Sequence, residues 1–356
     1  MTIAAMMLVN NPGNWGAMYA PLKHAEWHGW TFTDTIFPFF LWIVGVAIPF
    51  SLVRRLEAGE RPLSFFPRII RRTLLLIGLG LFLSGFPFFE WETLRFPGVL
   101  QRIGVCYFVA SIVVLYAGVR GQILWTLAFL ILYGLLMTFG SMPGFPPGDL
   151  SKEGNFSHYV DSLLLKGHMW KSTKTWDPEG IVSTLPAIST TLFGVLTGHL
   201  LRSNKSPAEK TAWMFVFGSL LMFAGQLLHL WMPINKPIWT SSYAVFMSGL
   251  AATVLAVCYW LVDVQQWQKW SKPFAIYGVN AITVFVLAGL LGRLSTVIKV
   301  TNDAGKEVAL KTFLFESYFA PLASPKNASL LWALMYVLGL YLVAWVLYRK
   351  KWFIRL

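Results

Sequence analysis

The chain has 356 residues, of which 56% are hydrophobic and only 13% charged, with 17 Trp and 28 Phe. Globular domains carry nearer a quarter charged residues, so a soluble enzyme, a coiled coil and a disordered chain give way to an all-α, polytopic membrane bundle. Two cysteines, Cys106 and Cys258, exclude a disulfide scaffold and a Cys-based metal site, and the formal net charge of +13 has to be read through membrane topology before nucleic acid is considered.

A bilayer core takes about 20 apolar residues per helix. The opening stretch, 2–9, is too short to cross alone and has no basic residue before it. It therefore reads as the outer half of a first helix, with its start missing or upstream of Met1, rather than as a signal peptide. Nine longer stretches follow, roughly at 34–53, 73–89, 99–118, 123–139, 181–201, 212–231, 239–262, 273–291 and 330–348. The expectation is about ten transmembrane helices in one domain, 1–356, with outer loops near 10–33, 140–180 and 292–329. Placing 54–72 in the cytoplasm and alternating from there gives the inner segments 16 cations, among them Arg71, Arg72 and Arg355, against four anions. The outer segments balance at 12 of each, and Arg102 lies within a span. Both termini are then cytoplasmic, and topology with anionic lipid accounts for the basic face without nucleic acid. No internal repeat is evident, which weakens an inverted-repeat transporter reading.

Polar residues gather at the outer end. Asn10 and Asn11 close the first helix, His24, Glu26 and His28 lie in the first outer loop, and Asp34 opens the second helix. Gln101 and Arg102 are one turn into the fourth, Asp177 and Glu179 precede the sixth, and Lys236 precedes the block Trp239-Thr240-Ser241-Ser242-Tyr243. Ionisable groups at such depth usually face the bundle interior, so a pocket reached from outside is expected. Asp34 also reads as a helix-start acid, and Asp177-Pro178-Glu179 as a helix-start signature. Arg102, beside Gln101 and just after Pro97-Gly98, reads as buried and paired, with snorkelling to the interface as the alternative. His24 and His28 are four apart but no third ligand follows, so no metal is expected; phosphate cradles and nucleophile elbows are absent.

Five blocks in order resemble the transmembrane acetyltransferases typified by heparan-α-glucosaminide N-acetyltransferase. They are Asn10-Asn11-Pro12-Gly13 with Lys23 to Thr31, Asp34 and Phe37-Pro38-Phe39; Pro97 to Gly104; Asp177-Pro178-Glu179-Gly180; Asn235 to Tyr243; and Tyr277-Gly278-Val279-Asn280-Ala281. The resemblance implies acetyl transfer from cytosolic acetyl-CoA to the amine of a terminal glucosamine on the far side of the membrane. It carries the essential histidine onto His24, the active-site asparagine onto Asn10 and the following acid onto Asp34. The large N-terminal domain of the animal enzymes has no counterpart, which suggests a bacterial member in the inner membrane. His28 stands where the animal enzyme has Asn, and no role is carried onto it.

Amine acetylation needs a proton acceptor, an oxyanion donor and a reachable thioester. His24 is expected to serve as general base, or as a transient acetyl carrier, with Asp34 orienting it and the Asn10 amide facing the oxyanion. Gln101, Arg102, Arg71, Arg72 and Asn280 are the expected acetyl-CoA contacts, the inner arginines meeting its phosphates and Asn280 lining the passage. Asp177, Glu179, Lys236, Trp239 and Ser242 are the expected acceptor contacts, the acids for the ammonium and Trp239 for stacking. The expected partners are the bilayer, acetyl-CoA, an amino sugar and a second copy in a homodimer. The alternatives are an amino-sugar transporter and an acyltransferase for another cell-envelope glycan.

Overall fold

A computed structural model describes residues 1–173, 175–302 and 305–354; Arg355, counted above among the inner cations, lies outside them. Helix α1 (Thr2–Asn10) leads through a loop to α2 (Phe32–Glu57). Then come α3 (Phe66–Gly85), α4 (Val99–Tyr116), α5 (Val119–Phe139), the short α6 (Phe156–Leu164), α7 (Thr184–Arg202), α8 (Pro207–His229) and α9 (Ser241–Val264). The chain ends through α10 (Lys269–Val279), α11 (Ala281–Val297), a hairpin of β1 (Lys299–Thr301) and β2 (Glu307–Ala309), α12 (Leu310–Tyr318) and α13 (Pro325–Arg349). The chain is a multi-pass, all-α membrane protein.

Among the described residues seven helices are long and apolar enough to cross a bilayer: α2, α4, α5, α7, α8, α9 and α13. The pair α10–α11, bent by 69°, makes an eighth if it is one span. Helix α3 is 20 residues long but carries Arg68, Arg71 and Arg72 in its first two turns, and α1, at nine residues, is too short to cross. The span expected at 273–291 is thus broken at Asn280. Much of the expected loop 292–329 is structured as well: α11 runs on to Val297, and the hairpin and α12 follow. The 140–180 loop contains α6.

Local chemistry sets several helix starts. Ser206 Oγ accepts from Glu209 N at 3.2 Å while the Glu209 carboxylate accepts from Ser206 N at 2.8 Å, a reciprocal cap opening α8. Without a hydrophobic force between apolar helices in lipid, association depends on close approach. The α2–α7 crossing supplies it through two glycines: a Cβ on Gly45 would lie 1.9 Å from the Thr191 carbonyl oxygen, and one on Gly194 would lie 2.0 Å from that of Trp42. Because both obstacles are backbone, Gly45→Ala is expected to cost about 1–3 kcal/mol through forced separation of the helices. A lowered thermal midpoint in detergent checks this; an unchanged midpoint contradicts it. The crossing fixes the start of α2, where the site residues begin.

Candidate active site

Asp34 sits in the first turn of α2 and is 1% exposed. Its Oδ2 accepts from the backbone N of Thr31 and of Ala25, both at 3.0 Å, and from Thr31 Oγ1 at 3.1 Å. Its Oδ1 accepts from His24 Nδ1 at 2.6 Å, and its carbonyl oxygen accepts from Tyr243 Oη at 2.5 Å. The acid is therefore helix cap and imidazole holder at once. His24 itself has 51% of its side chain exposed. With Nδ1–H committed to the carboxylate, the tautomer leaves Nε2 free to accept a proton from outside. Such a pair can orient a base and stabilise the imidazolium that forms.

A cavity of about 610 Å³ opens beside the ends of α1, α3 and α11 and the starts of α4 and α13. Asn10 and Gln101 line it, with Trp15, Trp332 and Tyr336. Gln101 is 8% exposed and its Nε2 has no partner, an amide donor held ready in the wall. Gly80 and Gly98 make room for it: a Cβ on either would fall 2.1 or 2.6 Å from Gln101 Oε1. His24 is not part of this wall.

Arg95 also lines the cavity and joins it to the 140–180 loop. Its Nε donates to Asp177 Oδ2 at 2.7 Å, its Nη2 donates to Asp177 Oδ1 at 2.5 Å, and Nη2 donates to Glu179 Oε2 as well. Burial pulls against the Arg95 charge, but Asp177 and Glu179 outweigh it and raise its pKa above the ordinary arginine value. Burial pushes the Glu179 carboxyl up, yet Arg95, Lys236 and Arg102 hold it below its ordinary range. In the first turn of α4, Arg102 donates to the Gly180 carbonyl oxygen at 3.0 Å and to Ser183 Oγ, and lies 5.2 Å over the Trp239 ring.

No family model matches the chain. Heparan-alpha-glucosaminide N-acetyltransferase of Mus musculus is 28% identical over 415 aligned positions covering 99% of this chain. That of Homo sapiens is 29% identical over 398 positions covering 94%. The chain resembles these acetyltransferases along almost its whole length. It spans little more than half of theirs, 58% and 56% respectively. The five sequence blocks and the whole-chain comparisons thus point to the same family.

The site residues expected from the sequence divide sharply in the structure. His24 meets Asp34, and Asn10 shares a cavity with Gln101. Trp239 is completely buried: its Nε1 donates to Thr190 Oγ1 at 3.2 Å and its ring is edge-on to Phe37 and Tyr243, so no sugar can stack on it. Ser242 is equally buried, its Oγ 3.1 Å from Thr240 Oγ1. Asp177 and Glu179 are already bound by Arg95 and are not free for an ammonium. Arg102 and Asn280 are absent from the cavity wall. Asn280 stands at the break between α10 and α11, where its Oδ1 accepts from Ile354 N at 3.2 Å. Arg71 is exposed, and the Arg72 guanidinium lies 4.6 Å over the Tyr107 ring. Lys236 is half-buried. Arg95, which the sequence does not single out, organises the region; nothing in Leu94-Arg95-Phe96 marks it.

Behind Asp177 the 140–180 loop holds a second titratable pair, His158 and Asp161 on α6. His158 Nδ1 donates to the Lys152 carbonyl oxygen at 2.7 Å, and the ring stacks 4.5 Å from Trp176. Burial lowers its pKa to about 4. A histidine held neutral adds stability above its ordinary range, lost as pH falls from about 6.5 toward 4, since the unfolded chain then binds the extra proton. Burial raises the Asp161 pKa to about 6, so this acid acts oppositely and costs stability as pH rises through that value. His158→Gln is expected to flatten the loss below pH ~6.5, by up to about 1.4 kcal/mol per pH unit, and Asp161→Asn to stabilise above pH ~6. Thermal midpoints of the variants from pH 4.5 to 8 check both signs.

Proposed function

We propose that this chain is a transmembrane N-acetyltransferase that moves acetyl from acetyl-CoA to the amine of a glucosamine-type acceptor. The observation that carries this reading is the His24–Asp34 hydrogen bond at 2.6 Å, which leaves Nε2 free to act as a base in a chain that resembles named acetyltransferases along almost its whole length. The basic end of the bundle is cytoplasmic, in a bacterial inner membrane, and the pair faces the other side.

His24 Nε2 takes the amine proton as the nitrogen bonds to the acyl carbon. The buried Asp34 carboxylate stabilises the resulting imidazolium, which then gives its proton to the departing sulfur as the C–S bond breaks. The products are an acetamido sugar and a free thiol. With the acyl carbon seated between His24 and the cavity wall, the Asn10 side-chain amide donates to the carbonyl oxygen as charge develops there. Acetyl-CoA supplies the thioester, and Gln101, whose buried amide is unpartnered in the cavity wall, offers a donor for it. A ping-pong order, in which His24 carries the acetyl group itself, uses the same free Nε2. The transporter alternative loses its ammonium ligands, because Asp177 and Glu179 are committed to Arg95.

Purified protein in detergent, given acetyl-CoA and glucosamine, is expected to release free thiol and form N-acetylglucosamine in equal amounts. No thiol release above the protein-free rate would reject the reading. Thiol release with acetyl-CoA alone, leaving an acetylated His24, would select the ping-pong order.

A further inference from the structure

The cavity carries positive charge that its walls do not balance. Three cations line it, Arg95, Arg293 on α11 and Lys311 on α12, and no Asp or Glu does among the described residues. Arg95 is answered from behind by Asp177 and Glu179. Arg293 and Lys311 make no ion pair among the described residues. Arg293 Nη1 donates to the Gly289 carbonyl oxygen of its own helix at 3.2 Å, and Lys311 Nζ lies 5.9 Å over the Trp15 ring. Both are half-buried. Burial alone pulls the Lys311 pKa below the ordinary lysine value.

Two half-buried cations in one cavity wall lose hydration without gaining a counterion, and an anion bound in the cavity offsets that cost. The Gln101 amide adds a neutral donor, nine-tenths buried and unpartnered, in the same wall.

We propose that Arg293 and Lys311, with the Gln101 amide, form an anion subsite for a phosphate or carboxylate carried by one of the two reactants. The identity of those reactants rests on the acetyltransferase reading; the anion subsite itself does not. Two sources share the chemistry, the phosphates of the donor nucleotide and an acidic group beside the acceptor amine. The first would seat a donor phosphate in this cavity, whose wall does not include Arg71 or Arg72. The second would make the enzyme prefer an anionic amino sugar over free glucosamine.

The test uses the purified full chain and the variants Lys311→Gln, Arg293→Gln/Lys311→Gln and Arg293→Lys/Lys311→Arg, each checked for wild-type thermal unfolding. Tryptophan fluorescence, with Trp15 and Trp332 in the wall, reads binding of CoA, dephospho-CoA, glucosamine and glucosamine 6-phosphate. Charge-assisted contacts of this kind are worth about tenfold or more in affinity. The glutamine variants are expected to weaken CoA or glucosamine 6-phosphate by that factor and its less charged counterpart by much less, while the charge-conserving variant binds as wild type. A loss confined to CoA assigns the donor phosphate; a loss confined to glucosamine 6-phosphate assigns the acceptor. Should the double variant fail to fold, Lys311→Gln on the outer helix decides alone. Unchanged affinity for both anionic probes in a folded glutamine variant overturns the subsite. Binding needs no turnover, so weaker probe binding by the glutamine variants, together with a wild-type protein that never releases thiol, would retain the anion site and reject the acetyltransferase reading.

Discussion

His24→Ala is expected to lower the rate of acetyl transfer to an amine by about 10²–10⁴-fold, the range for losing a positioned general base. The fold is expected to survive, because the imidazole is half-exposed and its one hydrogen bond is to an acid with three other donors. Asp34 keeps its bonds from Ala25 N and from Thr31 N and Oγ1, so the cap on α2 persists without the histidine. That separation makes the variant informative. A near-wild-type rate in a folded protein would remove His24 from the chemistry. Under the ping-pong order the loss would extend to thiol release from acetyl-CoA alone, which a base acting only on the acceptor does not require.

The largest effect on stability is expected from Arg95→Ala. It leaves Asp177, with a side chain 0% exposed, and Glu179, 6% exposed, without their shared counterion. Breaking a buried pair by removing one partner typically costs about 3–5 kcal/mol, because the remaining charge is stranded. Two acids are stranded here, although Trp170 N and Glu179 N still donate to the Asp177 carboxylate at 2.9 and 3.0 Å. Adding Asp177→Asn and Glu179→Gln to Arg95→Ala removes the stranded charges and is expected to restore most of the lost midpoint. A thermal midpoint within a degree of wild type for Arg95→Ala would mean that the cluster contributes little.

Hydropathy located the spans well where a helix runs straight through the bilayer. The stretch expected at 99–118 became Val99–Tyr116, and that at 212–231 became Pro207–His229. It failed where apolar content and helix geometry part company. Gly278-Val279-Asn280 contains no proline and sits in an apolar run, so nothing in the pattern announces the break at Asn280. The residues beyond 292 are mixed in polarity and read as loop, yet α11 continues, and a hairpin and α12 form there.

The site shows the same division. His24 and Asp34, ten residues apart, were named from the family resemblance and a helix-start signal, and the structure hydrogen-bonds them to each other. Arg95 was not, because its partners lie 82 and 84 residues away and a loop arginine by itself looks solvated. Arg293 and Lys311 line one cavity although a hairpin separates their helices in the chain. Trp239 looked like a stacking platform because an aromatic in a polar block resembles one; its depth comes from Arg102, Phe37 and Tyr243 closing around it.

Under the proposed function, acetyl supplied at the basic end of the bundle reaches an amine at His24 at the opposite end. Sealed inside-out vesicles bearing the protein, loaded with glucosamine and given acetyl-CoA outside, test it most directly. N-acetylglucosamine is expected to accumulate inside the vesicles with free CoA outside, and to be lost with His24→Ala. Product formed only when both substrates share one compartment would contradict it.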